Sequence, residues 1–165
     1  MEYCYTCGNK LEERYLENEG NVKYCSKCEK YVFEIFSTAI SVVILNKNAT
    51  KTLLIEQYNQ KKYILVAGYI NKGESAENAA LREIKEEVGL NVSKLIFQKT
   101  EYYEKSNTLM INFIALVDDE NVKPNFEIDN YKWFTIDEGL KNIAPNSLAK
   151  RFYVLAYYKV KNNEI

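Results

Sequence analysis

The chain of 165 residues contains no histidine. That absence removes the side chain most often used as a general base near neutral pH and the commonest nitrogen ligand for metals. Acid–base chemistry and metal binding then fall to carboxylates, lysine, tyrosine, cysteine or metal-bound water. Proline and glycine are scarce, at 2 and 6 residues, which excludes collagen-like and Pro/Gly-rich low-complexity architectures. No apolar run approaches the roughly 20 residues of a membrane-spanning helix, and the N-terminus lacks the basic-then-apolar layout of a secretory leader. No membrane association and a cytoplasmic location are expected. Charge of neither sign dominates: 22 Lys and Arg against 23 Asp and Glu leave a net charge of −1. No overall field therefore draws the chain to DNA or to an acidic membrane, and any phosphate it binds must be held locally. Cysteine is missing from everything beyond position 28.

What is present suits a folded core. Apolar residues make up 47% of the chain and aromatics 13%, mostly tyrosine, unlike a disordered segment. The length fits one ordinary domain plus a small appendage. All four cysteines lie in that appendage, as Cys4-Tyr-Thr-Cys7 and Cys25-Ser-Lys-Cys28. Two CxxC knuckles at this separation are the pattern of a four-cysteine structural zinc site, tetrahedral and closed to substrate. Disulfides or four free thiols are the plainer alternatives, and a reducing compartment disfavours the first. Gly8 supplies the tight turn after the first knuckle, whereas Glu29 follows the second. Glu19-Gly20-Asn21 signals a hairpin between them. Residues 1–34 are read as a zinc ribbon and 35–165 as the main domain. Lysines and Arg14 in the ribbon alternate with glutamates, so no basic stripe for nucleic acid emerges.

Beyond the ribbon, Ser37–Leu45 is a β-branched run consistent with a buried strand. Strands are also expected over 52–57, 62–66, 92–103, 108–117 and 131–135. Helices are expected over 75–88, 137–142 and 146–161. Ser75 can cap the first of these and Gly89 can stop it in the left-handed conformation. The last helix carries Leu148, Phe152, Leu155 and Ala156 on one face, a stripe best read as core packing. Strands around helices in this order make an α/β fold with a mixed sheet.

The chemistry concentrates in Gly68–Leu90, GYINKGESAENAALREIKEEVGL. On a helix, Glu86 and Glu87 follow Glu83 by three and four positions, so all three carboxylates project from one side. Ala80, Leu81, Ile84 and Val88 form the adjoining apolar stripe. Like charges at this spacing repel by a few tenths of a kcal/mol per pair, and a divalent cation would offset them. A solvated, merely exposed helix face is the bland alternative.

Read as a pattern, Gly68, five residues, Glu74, seven residues, then Arg82-Glu83-Ile84-Lys85-Glu86-Glu87-Val88-Gly89-Leu90 resembles the Nudix box at every defined position. The resemblance implies an α/β/α sandwich with a mixed sheet and hydrolysis of nucleoside diphosphates linked to another group, with magnesium or manganese. It implies a loop-helix-loop in which Gly68 turns the chain and Glu74 and Arg82 brace the loop on the helix. Glu83, Glu86 and Glu87 would face the metal, with Glu83 a ligand or the base. Hard oxygen donors and a partly hydrated site suit magnesium.

A narrower resemblance covers nearly the whole chain. A four-cysteine ribbon before such a domain, with Leu65-Val66-Ala67-Gly68-Tyr69 entering the box, is similar to the NADH pyrophosphatase group, including its RNA-deNADding members. That likeness implies cleavage of NADH or NAD to AMP and a mononucleotide, with ADP-ribose or another nucleotide sugar as the alternative substrate. A non-catalytic nucleotide- or RNA-binding module is the alternative of another class. Capped RNA enters through the likeness alone. The likeness also implies a metal-binding role for Glu127, before Tyr131-Lys132-Trp133-Phe134, base stacking by Tyr69, and a substrate contact at Ala149. It implies a homodimer too, with Tyr153, Tyr157 and Tyr158 as a tyrosine-rich face that could equally cover the core. The group's SQPWPFPxS signature is replaced here by FQKTEYYEKSNTLM. Gln98 and Ser106 are partial echoes, and Tyr102 or Tyr103 could stack on a ring.

Overall fold

The computed structural model describes residues 1–165, and its chain contacts separate into two units, Met1–Phe36 and Ser37–Ile165. The first holds three short antiparallel strands, β1 (Glu12–Leu16), β2 (Gly20–Cys25) and β3 (Lys30–Val32). Gly20 is the first residue of β2, opposite Leu16, so the hairpin bends at residues 17–19, slightly earlier than expected, through Asn18 at φ 67°. The core of this unit is only Cys4, Leu11, Cys25 and Val32 with Cys7 and Cys28 against them. That is too little apolar area to fold without a further staple.

The four sulfurs lie within 4.8 Å of one another. Gly8, after the first knuckle, takes φ +70° and Glu29, after the second, takes +52°. Both knuckles therefore make the same left-handed turn, one of them at the cost of strain in a glutamate. The donor set fits zinc: four sulfurs this close, once ionised, need a cation among them.

The second unit contains β4 (Ser37–Asn46), β5 (Lys51–Gln57), β6 (Val66–Tyr69), α1 (Ala76–Val88), β7 (Val92–Tyr103), β8 (Thr108–Val117), β9 (Ile128–Thr135), α2 (Ile136–Asn142) and α3 (Leu148–Lys161). The six-stranded sheet runs β7-β8-β4-β5-β9, with β6 also on β4. Only β4 and β8 pair in parallel, so the sheet is mixed. Ile40, Val42 and Ile44 of β4 pack on the α1 side, and Val43 and Leu45 pack under α3. A strand buried on both faces must be continuously apolar rather than alternating, which is how this stretch reads. Helices on both faces make the α/β/α sandwich that the box resemblance implied.

One edge of β4 is shared. Its first half, Ala39–Val42, pairs with β6, and Ile44 and Leu45 pair with β5. The sheet forks between these two partners. Residues 62–65 do not form the expected strand. Ile64 makes one rung with Ile55, after which the chain crosses to β4 and becomes β6.

Two apolar assignments also shift. Leu81 on α1 is exposed and Ala79 takes its place in the buried stripe. On α3 Leu155 is exposed, whereas Phe152, Tyr153 and Ala156 are buried. The helix starts at Leu148 because Asn146, at φ +55°, cannot be helical and Ser147 caps the first turn. The tyrosine-rich face is therefore reduced to the edge-to-face pair Tyr157 and Tyr158, with ring centroids 5.4 Å apart. Tyr153 is core and donates its hydroxyl to the Ile136 carbonyl at 2.9 Å, Tyr157 donates to Asp137, and Tyr158 is exposed. No helix is long and apolar enough to cross a membrane.

Candidate active site

Helix α1 is fixed at both ends by its own sequence. Ser75 Oγ accepts from the Asn78 amide at 3.2 Å, and Gly89 at φ 71° donates its amide to the Lys85 carbonyl. Ala79, Ala80, Ile84 and Val88 seat it on the sheet. Its remaining face turns Glu83, Glu86 and Glu87 into a cleft of about 530 Å³.

Gly68 does not turn the chain as expected. It lies within β6, paired with Ile40. A Cβ built at this position would overlap the Glu83 carboxylate, so glycine is needed for close approach.

Arg82 organises the carboxylates. Its Nε and Nη2 donate to the two oxygens of Glu74 at 2.8 and 2.9 Å. Nη1 donates to Glu83 at 2.7 Å and to Glu86 at 3.1 Å, and Nη2 also donates to the Tyr69 carbonyl at 3.1 Å. All five donors of the guanidinium thus have acceptors within the protein. Glu74 additionally accepts from the Asn71 amide at 3.0 Å. The Arg82 fork holds the Glu74 carboxyl down at about 2. Arg82 is a positioning residue: it fixes the loop before α1 and draws two helix glutamates together.

Glu87 is the odd member. It is 4% exposed, and its Oε2 is buried without any hydrogen-bond partner. Burial first, then the neighbouring Glu83, pushes its carboxyl up to about 8, against a partly compensating bond from Gln57. A buried carboxylate with an orphaned oxygen costs free energy unless a cation meets it. This is the observation that fits a divalent metal, and oxygen-only donors suit magnesium or manganese. Glu127 lines the same cleft from the irregular 118–127 segment. That segment is pinned to the end of α1, where Lys123 and Asn125 donate amides to the Val88 and Glu87 carbonyls at 2.8 and 2.9 Å. Asn125 Oδ1 in turn accepts from the Glu127 amide at 2.9 Å.

Among the proposed substrate contacts, Tyr69 stands exposed at the cleft. Gln98 does not reach it. Sitting at the β7 bulge, its amide nitrogen donates to Asn112 Oδ1 and the Phe152 carbonyl, tying α3 to the sheet. Tyr102 and Tyr103 face a separate hollow of about 280 Å³ with Asn146 and Arg151. Ala149 packs against the α3-side core. The β7–β8 hairpin does reach the cleft, but through Ser106, Thr108 and Met110. Tyr58, Asn71 and Asn125 also line it and were missed. Tyr58-Asn59-Gln60 reads as a polar turn, and nothing local reveals that the turn abuts a site built by distant segments.

The sandwich carries a cleft lined by carboxylates at the box helix, an oxygen donor set that suits a divalent cation. The NUDIX domain family model matches residues 36–154, and the chain belongs to the Nudix hydrolase family. It is 26% identical over 149 residues to the NAD-capped RNA hydrolase NudC of Pseudomonas aeruginosa, covering 90% of this chain and 52% of that protein. It is 27% identical over 148 residues to the protein of the same name from Vibrio atlanticus, covering 88% and 53%. The chain thus spans about half the length of these relatives. A Nudix hydrolase structure from Nitrosomonas europaea superposes with a TM-score of 0.67 at 19% identity, covering 99% of this chain and 93% of that one.

Proposed function

We propose that this chain hydrolyses the diphosphate bond of an NADH- or NAD-type dinucleotide, releasing AMP and the nicotinamide mononucleotide. The observation that carries the reaction is Glu87, buried, electrostatically strained and unpaired at Oε2 beside Glu83, Glu86 and Glu127. The likeness to the NudC-named relatives supports the dinucleotide as substrate. Magnesium or manganese held by Glu83, Glu86, Glu87 and Glu127 would neutralise the diphosphate and activate a water. Without histidine, a glutamate of this set accepts the proton of the attacking water, and Glu83, held by Arg82, is oriented for that task. Arg82 keeps Glu83 and Glu86 in place, and Tyr69 offers an exposed ring on which a base can stack.

ADP-ribose is the second substrate to test, because the stretch aligned with the nicotinamide signature sends Gln98, Tyr102 and Tyr103 away from the cleft. Capped RNA is a third, supported by the relatives' name only. The proposal includes structural zinc on Cys4, Cys7, Cys25 and Cys28, a cytoplasmic setting in which these thiols stay reduced, and a homodimer on the family resemblance. Chromatography of products from NADH, ADP-ribose and NAD-capped RNA, with magnesium and then manganese, tests the reaction. AMP release that disappears in Glu87→Gln is expected. Turnover unchanged by that substitution refutes the assignment, and ligand binding without products favours a non-catalytic module.

A further inference from the structure

Glu127 sits on a segment without regular structure, yet a metal ligand must be held within a fraction of an ångström of its working position. Its backbone is anchored through Asn125; its carboxylate needs a holder of its own. The β5–β9 ladder supplies one. Gln57 pairs with Ile128 just past a register shift, so the next residues along, Tyr58 and Glu127, face each other across the open end of the ladder. Tyr58 and Asn59 both adopt left-handed backbone, each at φ 55°. Such a pair is uncommon outside glycine, and for a bulky tyrosine it is held only where surroundings over-determine it. Asp129 Oδ2 does so by accepting the Asn59 amide at 2.6 Å, with Gln60 donating to the Gln57 carbonyl at 3.1 Å. The result directs the Tyr58 ring, 66% exposed, to the cleft instead of away from it. There Glu127 lines the same cleft beside it, within reach of the Tyr58 hydroxyl.

Resting on the metal role proposed above for Glu127, we infer that Tyr58 is a positioning residue that orients the Glu127 carboxylate for the divalent metal, with Asp129 clamping the backbone that presents it. Tyr58 does not touch the reacting atoms. It does what outer partners of metal ligands generally do, and their loss typically weakens metal affinity about 10- to 100-fold.

The test is Mn2+ binding to the full chain, followed by the loss of the free-ion paramagnetic resonance signal, in wild type, Tyr58→Phe, Glu127→Gln and the double variant. Tyr58→Phe should weaken binding about 10-fold with an unchanged melting temperature. Glu127→Gln should weaken it at least as much, and the double variant should match Glu127→Gln alone. Asp129→Ala keeps the hydroxyl but releases Asn59, and should weaken binding in the same direction. Wild-type affinity in Tyr58→Phe, a full additional loss in the double variant, or insensitivity to Glu127→Gln each overturns the inference. NADH turnover by the wild type is measured alongside. Its absence counts against the proposed reaction, while the metal-binding arms still decide the role of Tyr58.

Discussion

Gly68 and Glu83 occupy one space: the position of a Cβ at residue 68 coincides with the Glu83 carboxylate. Gly68→Ala must therefore push Glu83 off Arg82 and out of line with Glu86 and Glu87. The backbone of Gly68 is ordinary strand, so the folding penalty is small beside the functional one. Steady-state kinetics should show kcat reduced about 100-fold, the scale expected for a displacement of about 1 Å at a reacting centre.

Glu87 makes the metal-free protein sensitive to alkali. Its folded-state carboxyl lies at about 8 against an ordinary 4.5, so the folded chain holds this proton more tightly than the unfolded chain. Its contribution to stability is complete below 4.5 and is lost as pH rises through about 8. Melting curves from pH 5 to 8 should show wild type losing stability relative to Glu87→Gln. Added magnesium binds the ionised form, so its stabilising effect on wild type should grow toward pH 8.

Arg82→Lys keeps the charge but replaces a five-donor fork with three donors on a flexible stem. Glu74, Glu83 and Glu86 cannot all be held, and kcat should fall about 10- to 100-fold. The Glu74 carboxyl, held at about 2 by Arg82, contributes stability above its ordinary 4.5 that disappears as pH falls toward 2. The melting difference between wild type and Arg82→Lys should accordingly shrink on acidification.

Cys25 is fully buried at the centre of a four-residue core. Cys25→Ser, or chelation of the wild type, should unfold Met1–Phe36 while Ser37–Ile165 keeps its own transition. Backbone amide exchange read by segment checks this, and metal analysis should return one zinc per wild-type chain.

Local signals carried the second unit well where they agreed with packing. Ser75 and Gly89 bound α1 because capping is written in the residues themselves. The continuous apolar run of β4 announces burial on both faces, and the box spacing brings Glu74, Arg82 and Glu83 together. Illegible features depended on distant chain. Gly68 reads as a turn residue, and only the carboxylate arriving from α1 shows why no side chain fits. Periodicity could not choose between Leu155 and Tyr153, because the hydroxyl partner that buries Tyr153 belongs to Ile136. Gln98 sits at a bulge, and its aim toward α3 follows from a register shift that composition does not record. Tyr58 lies in a turn whose purpose is set by Glu127, 69 positions later.

Because β5 and β6 diverge from a single edge of β4, the distance between the Tyr58 side of the cleft and the Tyr69 side is a matter of splay, governed by the connection from Tyr58 to Leu65. Insertions or deletions in that connection would widen or narrow the mouth. Helix α1 would travel with the β6 arm, to which Arg82 ties it through the Tyr69 carbonyl and Glu83 through its close approach to Gly68.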